Sequence, residues 1–433
     1  MQTSASGTPI ASIAPRRDTL IIPDQDLFDE AFYLERHKDV AQALARGELR
    51  TGWRHYEFAG RRERREVRLL DFDEAFYLGA YPQARQDIDA GLAASAAEHY
   101  LLHGKARGYL RNPKAPRPDN PAAAISRFGG LWPDLPNGLD IIADKLDIGQ
   151  ITAEEAERLR FWRMHGYVVL EGAIPGQLID GARQALEDAY SGKLAGQLFE
   201  CGTVTGDREP AHWQPGFNDH PAKALDIHFQ SRAIRDAIFS APIVDFLRLI
   251  FESRALASQT LGFWRGSSQE GHQDTAYVAY SLPRNFAASW IALEDVTMGA
   301  GELFYFDGSH KLGDFLYGGS KKTIHDCRRM DGGPFPQSEV DAFVESLRVR
   351  SREQGYKRLP FAAKKGDVLI WHADLVHGGS PISQALTRKS VVTHYCPHRL
   401  VPLYFEDRIA EVYKHDFHRF TTGVYAGNVP VGV

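Results

Sequence analysis

Gly271-His272-Gln273-Asp274 sets an imidazole and a carboxylate two residues apart. In an extended strand, positions two apart face the same way, so both groups can enter one cavity. They are two of the three ligands of a facial triad, which holds Fe(II) and leaves coordination positions open. The pair alone is common. It needs a distant histidine and a group that anchors a co-substrate. Both stand in the run from Asp367-Val-Leu-Ile-Trp-His-Ala-Asp-Leu-Val-His377 to Arg388: a strand, His377 at its end, a turn, and Arg388 eleven residues later entering the next strand. An arginine fork gives a carboxylate two charge-assisted hydrogen bonds at once. Arg388 therefore suits the C5 carboxylate of 2-oxoglutarate, whose C1 carboxylate and C2 keto oxygen would chelate the iron.

Other histidines compete for the same role. His372-Ala-Asp374 is a second H-x-D, yet eleven residues after the downstream His394 and His398 stand Phe405 and Ile409, not arginine. The His272 pair is preferred, and Asp374 is expected behind the ligands or at the surface. His310, in Gly-Ser-His310, is expected as a loop hydrogen-bonder, while His228 and Trp264 are candidates for the substrate side of the pocket. Lys321-Lys322 and Lys364-Lys365 are expected as solvated faces.

The elements that must position these groups are spread over 433 residues, long enough for two domains. From Thr152-Ala-Glu-Glu155, which has the form of a capping box, helices are expected over 178–190 and 234–251. Short apolar strands are expected at 167–170, 261–264, 289–293, 303–306, 367–371 and 390–393. Many short strands between Gly and Pro turns imply an α+β architecture, an antiparallel sandwich or barrel flanked by helices. Upstream lies a duplication. Phe28-Asp-Glu-Ala-Phe-Tyr-Leu34 recurs as Phe72–Leu78, and the same offset of 44 residues takes Gly47 to Gly91, His55-Tyr56 to His99-Tyr100, and Gly60 to Gly104. A period of this size signals stacked supersecondary units. Each unit is expected as a helical hairpin with Phe28, Phe32 and Val40 on its apolar face, and His55 and His99 as packing residues. The expected organisation is a loose tail (1–20), the repeat module (21–112), a Pro-rich linker (113–125) and the strand-rich domain (126–433).

The order of H-x-D, distant His and Arg resembles the phytanoyl-CoA dioxygenase-like family of Fe(II)/2-oxoglutarate oxygenases. The resemblance runs from about Thr152 to Pro397 and includes Phe161-Trp-Arg-Met-His-Gly-Tyr-Val-Val-Leu170, Trp290-Ile-Ala-Leu-Glu-Asp295, Gly301-Glu-Leu303, Asp307-Gly-Ser-His310 and Gly366-Asp367. It implies a double-stranded β-helix (jelly-roll), iron at His272, Asp274 and His377, and 2-oxoglutarate held by Arg388 with Gln273 and Trp290 lining its pocket. Halogenating relatives replace the aspartate; Asp274 is kept, which favours hydroxylation with release of succinate and CO2, with O2 as co-substrate. The stretch between His310 and Gly366 is longer than usual for the family and is expected to carry a helix over 338–353, as a lid or recognition insert. The repeats resemble units appended to bacterial glycosyltransferases, which points to a small or saccharide-linked substrate or a protein partner.

The bulk numbers narrow the remaining choices. A formal charge of −5 argues against nucleic acid or an anionic membrane as partner. No apolar run approaches the roughly 18 residues of a membrane span, and the Ser-, Thr-, Ala- and Pro-rich start lacks signal-peptide order. Cys201, Cys327 and Cys396 are widely spaced and odd in number, as expected of free thiols in a cytoplasmic protein. Desaturation, ring closure or demethylation at the same centre, a binding protein acting through the repeats, and a zinc enzyme are the competing readings. An intact triad with Arg388 speaks against the binding protein, and a zinc enzyme would leave Arg388 without a partner.

Overall fold

A computed structural model of the chain describes residues 28–49, 51–70, 72–104, 109, 111, 126, 128–206, 209–319, 321–331, 335–400, 402–403, 412–425 and 428–432. The tail expected over 1–20 and the linker expected over 113–125 lie outside them.

The duplicated segment repeats its structure as faithfully as its sequence. Helices Glu30–Arg36, Lys38–Ala45 and Gly52–His55, closed by a π turn over Tyr56–Gly60, recur as Glu74–Ala80, Pro82–Asp89, Ala96–His99 and Tyr100–Gly104. Each unit therefore holds three short helices, not the expected hairpin. Asp29, Thr51, Asp73 and Ser95 each accept a backbone N–H at the start of a first or third helix, and the additional break falls at His37 and Tyr81, whose φ of −116° and −128° leave the helical region. Gly47 and Gly91 follow the second helices at φ of 75° and 78°, the left-handed region that favours glycine. Gly60 and Gly104 answer to packing, since a Cβ there would collide with the Tyr33 and Tyr77 hydroxyls respectively. One apolar cluster joins the units through Phe28, Tyr33, Val40, Tyr56, Tyr77 and Tyr100. Phe32 instead lies half-buried beneath Arg68.

Downstream, the capping box forms as expected, with Thr152 and Glu155 bonded reciprocally at 3.2 and 2.7 Å. The helix Ala153–His165 ends at Gly166, which adopts φ of 80° and hands the chain to strand β1 (Tyr167–Leu170). The helix expected over 234–251 is two, Arg232–Ile238 and Ala241–Phe251. Pro242 has no amide to continue the first and sits at the start of the second, where none is needed. The short strands β2 (Leu198–Glu200), β3 (Ala211–His212) and β4 (Lys223–Leu225) precede β5 (Ala255–Phe263) and β6 (Ala287–Ala292). Next in the chain come β7 (Leu303–Phe306), β8 (Arg358–Phe361), β9 (Val368–His372), β10 (His377–Gly379), β11 (Ser390–Pro397), β12 (Tyr413–His415) and β13 (His418–Phe420).

These strands make a mixed helix-and-sheet fold with two sheets. The larger runs β1-β9-β6-β11-β5-β4-β2-β3, and the smaller runs β10-β7-β8. Pairing is antiparallel except where β13 meets β5. Strand β6 shows why the central strands read as unbroken apolar runs. Ala287 and Ile291 pack with Ile179, Leu186, Phe246 and Ile250 of the covering helices. Ala288, Trp290 and Ala292 pack on the other face with Leu303, Tyr305 and Phe361 of the smaller sheet. A strand covered on both faces has no solvent side to show as alternation. Burying each large apolar side chain stabilises by roughly 1.5–3 kcal/mol, so the sandwich is the rigid part on which a site can be hung. Cys201, Cys327 and Cys396 are buried and none is in a disulfide; the Cys327 thiol donates to the Thr323 carbonyl at 3.3 Å. Among the described residues no helix is long and apolar enough to cross a membrane.

Candidate active site

The smaller sheet ends at β10, and the segment carrying His272 lies along that open edge. His272 and His377 exchange both backbone hydrogen bonds, at 2.9 and 3.0 Å. Gly378 permits the approach, because a Cβ there would stand 2.6 Å from the Gln269 carbonyl oxygen and 2.7 Å from the Phe304 ring. The expected strand through His272 and Asp274 is absent: after the single bridge at His272 the chain turns, and Asp274 opens a one-turn 3-10 helix ending at Ala276. The two side chains nonetheless converge. Nε2 of His272 and Nε2 of His377 lie 3.6 and 3.5 Å from Oδ1 of Asp274. The three buried residues offer ligand atoms all within 4.8 Å of one another.

Each group is held from behind. Nδ1 of His272 donates to the Glu270 carbonyl and Nδ1 of His377 to that of Leu375, both at 2.9 Å, which leaves each Nε2 a lone pair facing Asp274. Gln269 Nε2 stands 3.3 Å from Nε2 of His272. Oδ2 of Asp274 accepts the indole N–H of Trp371 at 2.8 Å. Burial alone would raise the Asp274 carboxyl, but His377, His272 and His394 more than offset it and hold it well below the usual carboxylate range. Burial pushes His377 down to about 4 against the pull of Asp274. The centre thus presents an ionised carboxylate beside a neutral His377 imidazole, as binding of a divalent cation requires.

The turn after His272 is clamped by Asp374, which is deeply buried. Gln273 donates its amide N–H to the Asp374 carbonyl at 2.8 Å, and the Thr275 hydroxyl bonds Oδ1 of Asp374. Arg284 pairs with the same carboxylate, and Lys322 reaches it at 3.1 Å and Asp314 at 3.0 Å. Of the two places expected for Asp374, it takes the buried one, behind the His-Asp-His cluster, where it fixes the residues on both sides of Asp274. Lys322 corrects an expectation: it is 2% exposed, because two carboxylates draw it inward. Lys364 and Lys365 stay on the surface as expected. His372 is internal as well, bonded to Asp134 at 3.1 Å.

Arg388 is buried just before β11 and donates to the Gly301 carbonyl at 2.7 Å. Its guanidinium stands 5.7 Å from the ring centres of both Phe263 and Trp290. Among the described residues it makes no ion pair, and its Nε has no hydrogen-bond partner, nor has the indole N–H of Trp290. Burial lowers the guanidinium to about 10, with Glu302 the opposing influence. A buried cation without a paired counter-charge costs several kcal/mol, on the order of the penalty for a lone ion in a protein interior. The pocket fits an anion.

The insert packs against this centre. Phe343 and Leu347 of the helix Gln337–Glu353 join Leu312, Tyr317 and Ile324 in a cluster with Ala276 and Val376, and Tyr277 meets Phe343 at 6.4 Å. Ala276 and Val376 flank the turn of Asp274 and His377. His310 bonds the Arg163 carbonyl at 3.1 Å, as a loop hydrogen-bonder should. His228 does not reach the pocket: it is buried between the Thr260 hydroxyl at 2.8 Å and the Thr421 carbonyl at 2.7 Å. Trp264 packs against the helix-side core, beneath the Lys389 ammonium. Trp371 and His394 join the centre without having been singled out by their spacing from His272 or His377. One signal was available for His394: it stands an even six residues after Arg388 in an extended segment, a spacing that puts both on one face.

The profile of the family described as Phytanoyl-CoA dioxygenase (PhyH) matches residues 162–390, just over half of the chain. The 1-deoxypentalenic acid 11-beta-hydroxylase of Streptomyces exfoliatus is 25% identical over 250 residues, covering 56% of this chain and 80% of the relative. The phytanoyl-CoA dioxygenase of Arabidopsis thaliana is 22% identical over 258 residues, covering 51% and 81%. Among solved structures, the apoform of EctD from S. alaskensis is 18% identical, with a TM-score of 0.41 over 65% of this chain and 85% of that one.

Proposed function

Because the chain belongs to the phytanoyl-CoA dioxygenase family, and so is a 2-oxoglutarate-dependent non-haem iron oxygenase using Fe(II), 2-oxoglutarate and O2, we propose that it hydroxylates an unactivated carbon of a small or glycan-linked substrate. His272, Oδ1 of Asp274 and His377 are the residues we assign to the iron. Arg388 takes the C5 carboxylate of 2-oxoglutarate, with Trp290 beside it and Gln273 lining the approach. The two facing sheets are read as a double-stranded β-helix. The observation that carries the assignment is the pairing of two half-sites: a compact His-Asp-His cluster suited to a cation, and a buried arginine suited to an anion.

Iron with bound 2-oxoglutarate supplies oxidative decarboxylation, giving succinate and CO2 and delivering one oxygen atom to the substrate. The protein's own part is positional. Burial keeps His377 neutral and its neighbours keep Asp274 ionised, the Glu270 and Leu375 carbonyls orient the two imidazoles, and Arg388 orients the co-substrate from a buried pocket beside Trp290. The insert over 311–365 is assigned to substrate recognition, on the strength of its contact with the Asp274 turn. The name of the Streptomyces relative, a hydroxylase of 1-deoxypentalenic acid, supports hydroxylation of a small molecule. The helical repeats, taken as a module over 21–112 separate from 126–433, are assigned to binding a saccharide or protein partner. Their resemblance to units appended to glycosyltransferases is the reason. A cytoplasmic location, suggested by cysteines that form no disulfide, is part of the same reading.

The test is 2-oxoglutarate turnover to succinate by anaerobically reconstituted Fe(II) protein, beside a His377→Ala variant. Turnover that requires iron and vanishes in the variant is the expected result. Iron-independent turnover, or full turnover in the variant, would remove His377 from the metal.

A further inference from the structure

His394 is a buried side chain beside the three ligating atoms, and the chemistry described above gives it no task. It lies in β11 and is 4% exposed, and among the described residues neither ring nitrogen has a hydrogen-bond partner. Its Nε2 is 3.4 Å from Oδ2 of Asp274, the oxygen that also accepts the Trp371 indole. The two imidazoles of His272 and His377 pair instead with Oδ1. The carboxylate is therefore divided: the Nε2 atoms of His272 and His377 gather around one oxygen, and the Trp371 N–H and the His394 ring face the other.

Resting on the reading of this centre as an iron site, we infer that His394 is a positioning residue which, with Trp371, ties up Oδ2 of Asp274 and restricts the carboxylate to a single ligating oxygen. A carboxylate has roughly four lone-pair sites on two oxygens, and one that swings freely can present both to a metal. Two N–H donors on Oδ2 fix the plane of the group and draw negative charge away from the metal side. Confining Asp274 to one oxygen keeps the remaining coordination positions for a chelating co-substrate and O2. The geometry also accounts for His394 itself. A proton on Nε2 would find the Asp274 oxygen 3.4 Å away as its acceptor, and a buried imidazole held with neither nitrogen employed would cost about 1–3 kcal/mol.

The experiment compares wild type with His394→Phe, His394→Gln and Trp371→Phe. Two quantities are read: Fe(II) affinity by competition with a chelator, and the visible charge-transfer band formed when 2-oxoglutarate joins Fe(II) without O2. His394→Phe keeps the bulk and loses the N–H. It is expected to weaken Fe(II) binding about 10–100-fold, the usual effect of losing a partner behind a ligand, and to displace the band. His394→Gln keeps an N–H donor and should recover most of the affinity, while Trp371→Phe should move both readings in the direction of His394→Phe. A His394→Phe protein that matches wild type in both overturns the inference, and so does a folded His394→Gln as impaired as His394→Phe. If His394→Phe fails to fold by circular dichroism, Trp371→Phe decides, and an unchanged band there overturns it. Wild type that binds no Fe(II) overturns the iron reading and this inference together. Wild type that binds, with an unaffected His394→Phe, overturns the inference alone.

Discussion

Two regions of this chain bury histidine among aromatic rings, and they treat its nitrogens in opposite ways. In the duplicated helices His99 is fully enclosed, with Nδ1 bonded to the Tyr77 hydroxyl at 2.7 Å and Nε2 to Asp87 at 3.0 Å. His55 repeats the arrangement more openly, with Tyr33 at 3.0 Å and Glu63 at 3.9 Å. At the edge of the smaller sheet, His272 and His377 spend Nδ1 on carbonyls and turn Nε2 towards one carboxylate oxygen, with Gln269 also 3.3 Å from Nε2 of His272, while among the described residues Arg388 and Trp290 keep buried N–H groups with no acceptor. A buried polar group whose partners are all supplied by the chain contributes to stability. A group of them left incomplete together is arranged for something the chain does not contain. The first region is a hydrogen-bonded core, and we read the second as a receptor.

Substitutions should separate the two. The largest effect is expected from His377→Ala, which removes a proposed iron ligand and should reduce Fe(II)-dependent succinate formation to background while leaving the fold intact by circular dichroism. Arg388→Gln comes next. Truncating one partner of a buried charged pair costs ~2–5 kcal/mol, so half-saturating 2-oxoglutarate should rise at least about 30-fold, with Fe(II) affinity retained. In the other region the pattern should invert. His99→Phe removes one hydrogen bond each from Asp87 and Tyr77 and should lower unfolding free energy by about 1–3 kcal/mol, with turnover per folded molecule unchanged. Gly104→Ala drives a methyl onto the Tyr77 hydroxyl, and overpacking of this kind costs about 1–3 kcal/mol; the unfolding midpoint in denaturant should fall accordingly. Turnover lost in His99→Phe while the protein stays folded would erase the distinction. The smallest effect concerns pH. Burial holds His377 at about 4 and His310 at about 3, below the unfolded value near 6.5. Both bind a proton more readily when unfolded, so metal-free stability is lost as pH falls from about 6.5 towards those folded values. Melting temperature without metal should therefore decline below about pH 6.5, and a saturating divalent metal should delay the decline.

Much of the receptor is legible in the sequence, because its chemistry is carried by residue types at fixed spacing. His272, Asp274, His377 and Arg388 are each where a strand-and-turn reading puts them in the chain, and the first three converge. For His272 and Asp274 that reading fails in detail, since they share a turn and not a strand. Periodicity cannot see that the edge of a sheet has room for only one bridging residue. Charge patterns in sequence register sign and not neighbours, so Lys322 reads as a surface group although two carboxylates enclose it. Trp371 and His394 escape notice because a buried indole in an apolar run looks like core, and a lone histidine looks like a failed competitor. In the repeats, Gly60 and Gly104 are visible as landmarks, but their cause, a tyrosine hydroxyl lying against each, needs coordinates. The break within 234–251 is different, because Pro242 carries its signal in the sequence itself.

The most direct measurement is anaerobic titration of 2-oxoglutarate into the protein with and without Fe(II), for wild type and Arg388→Gln, followed by calorimetry and the visible charge-transfer band. The account predicts tight binding with a band only when Fe(II) is present, and its loss or strong weakening in Arg388→Gln. Equal binding in the two proteins, or none to the iron-loaded wild type, would contradict the claim that these buried, incomplete groups form one receptor for a metal and a dicarboxylate.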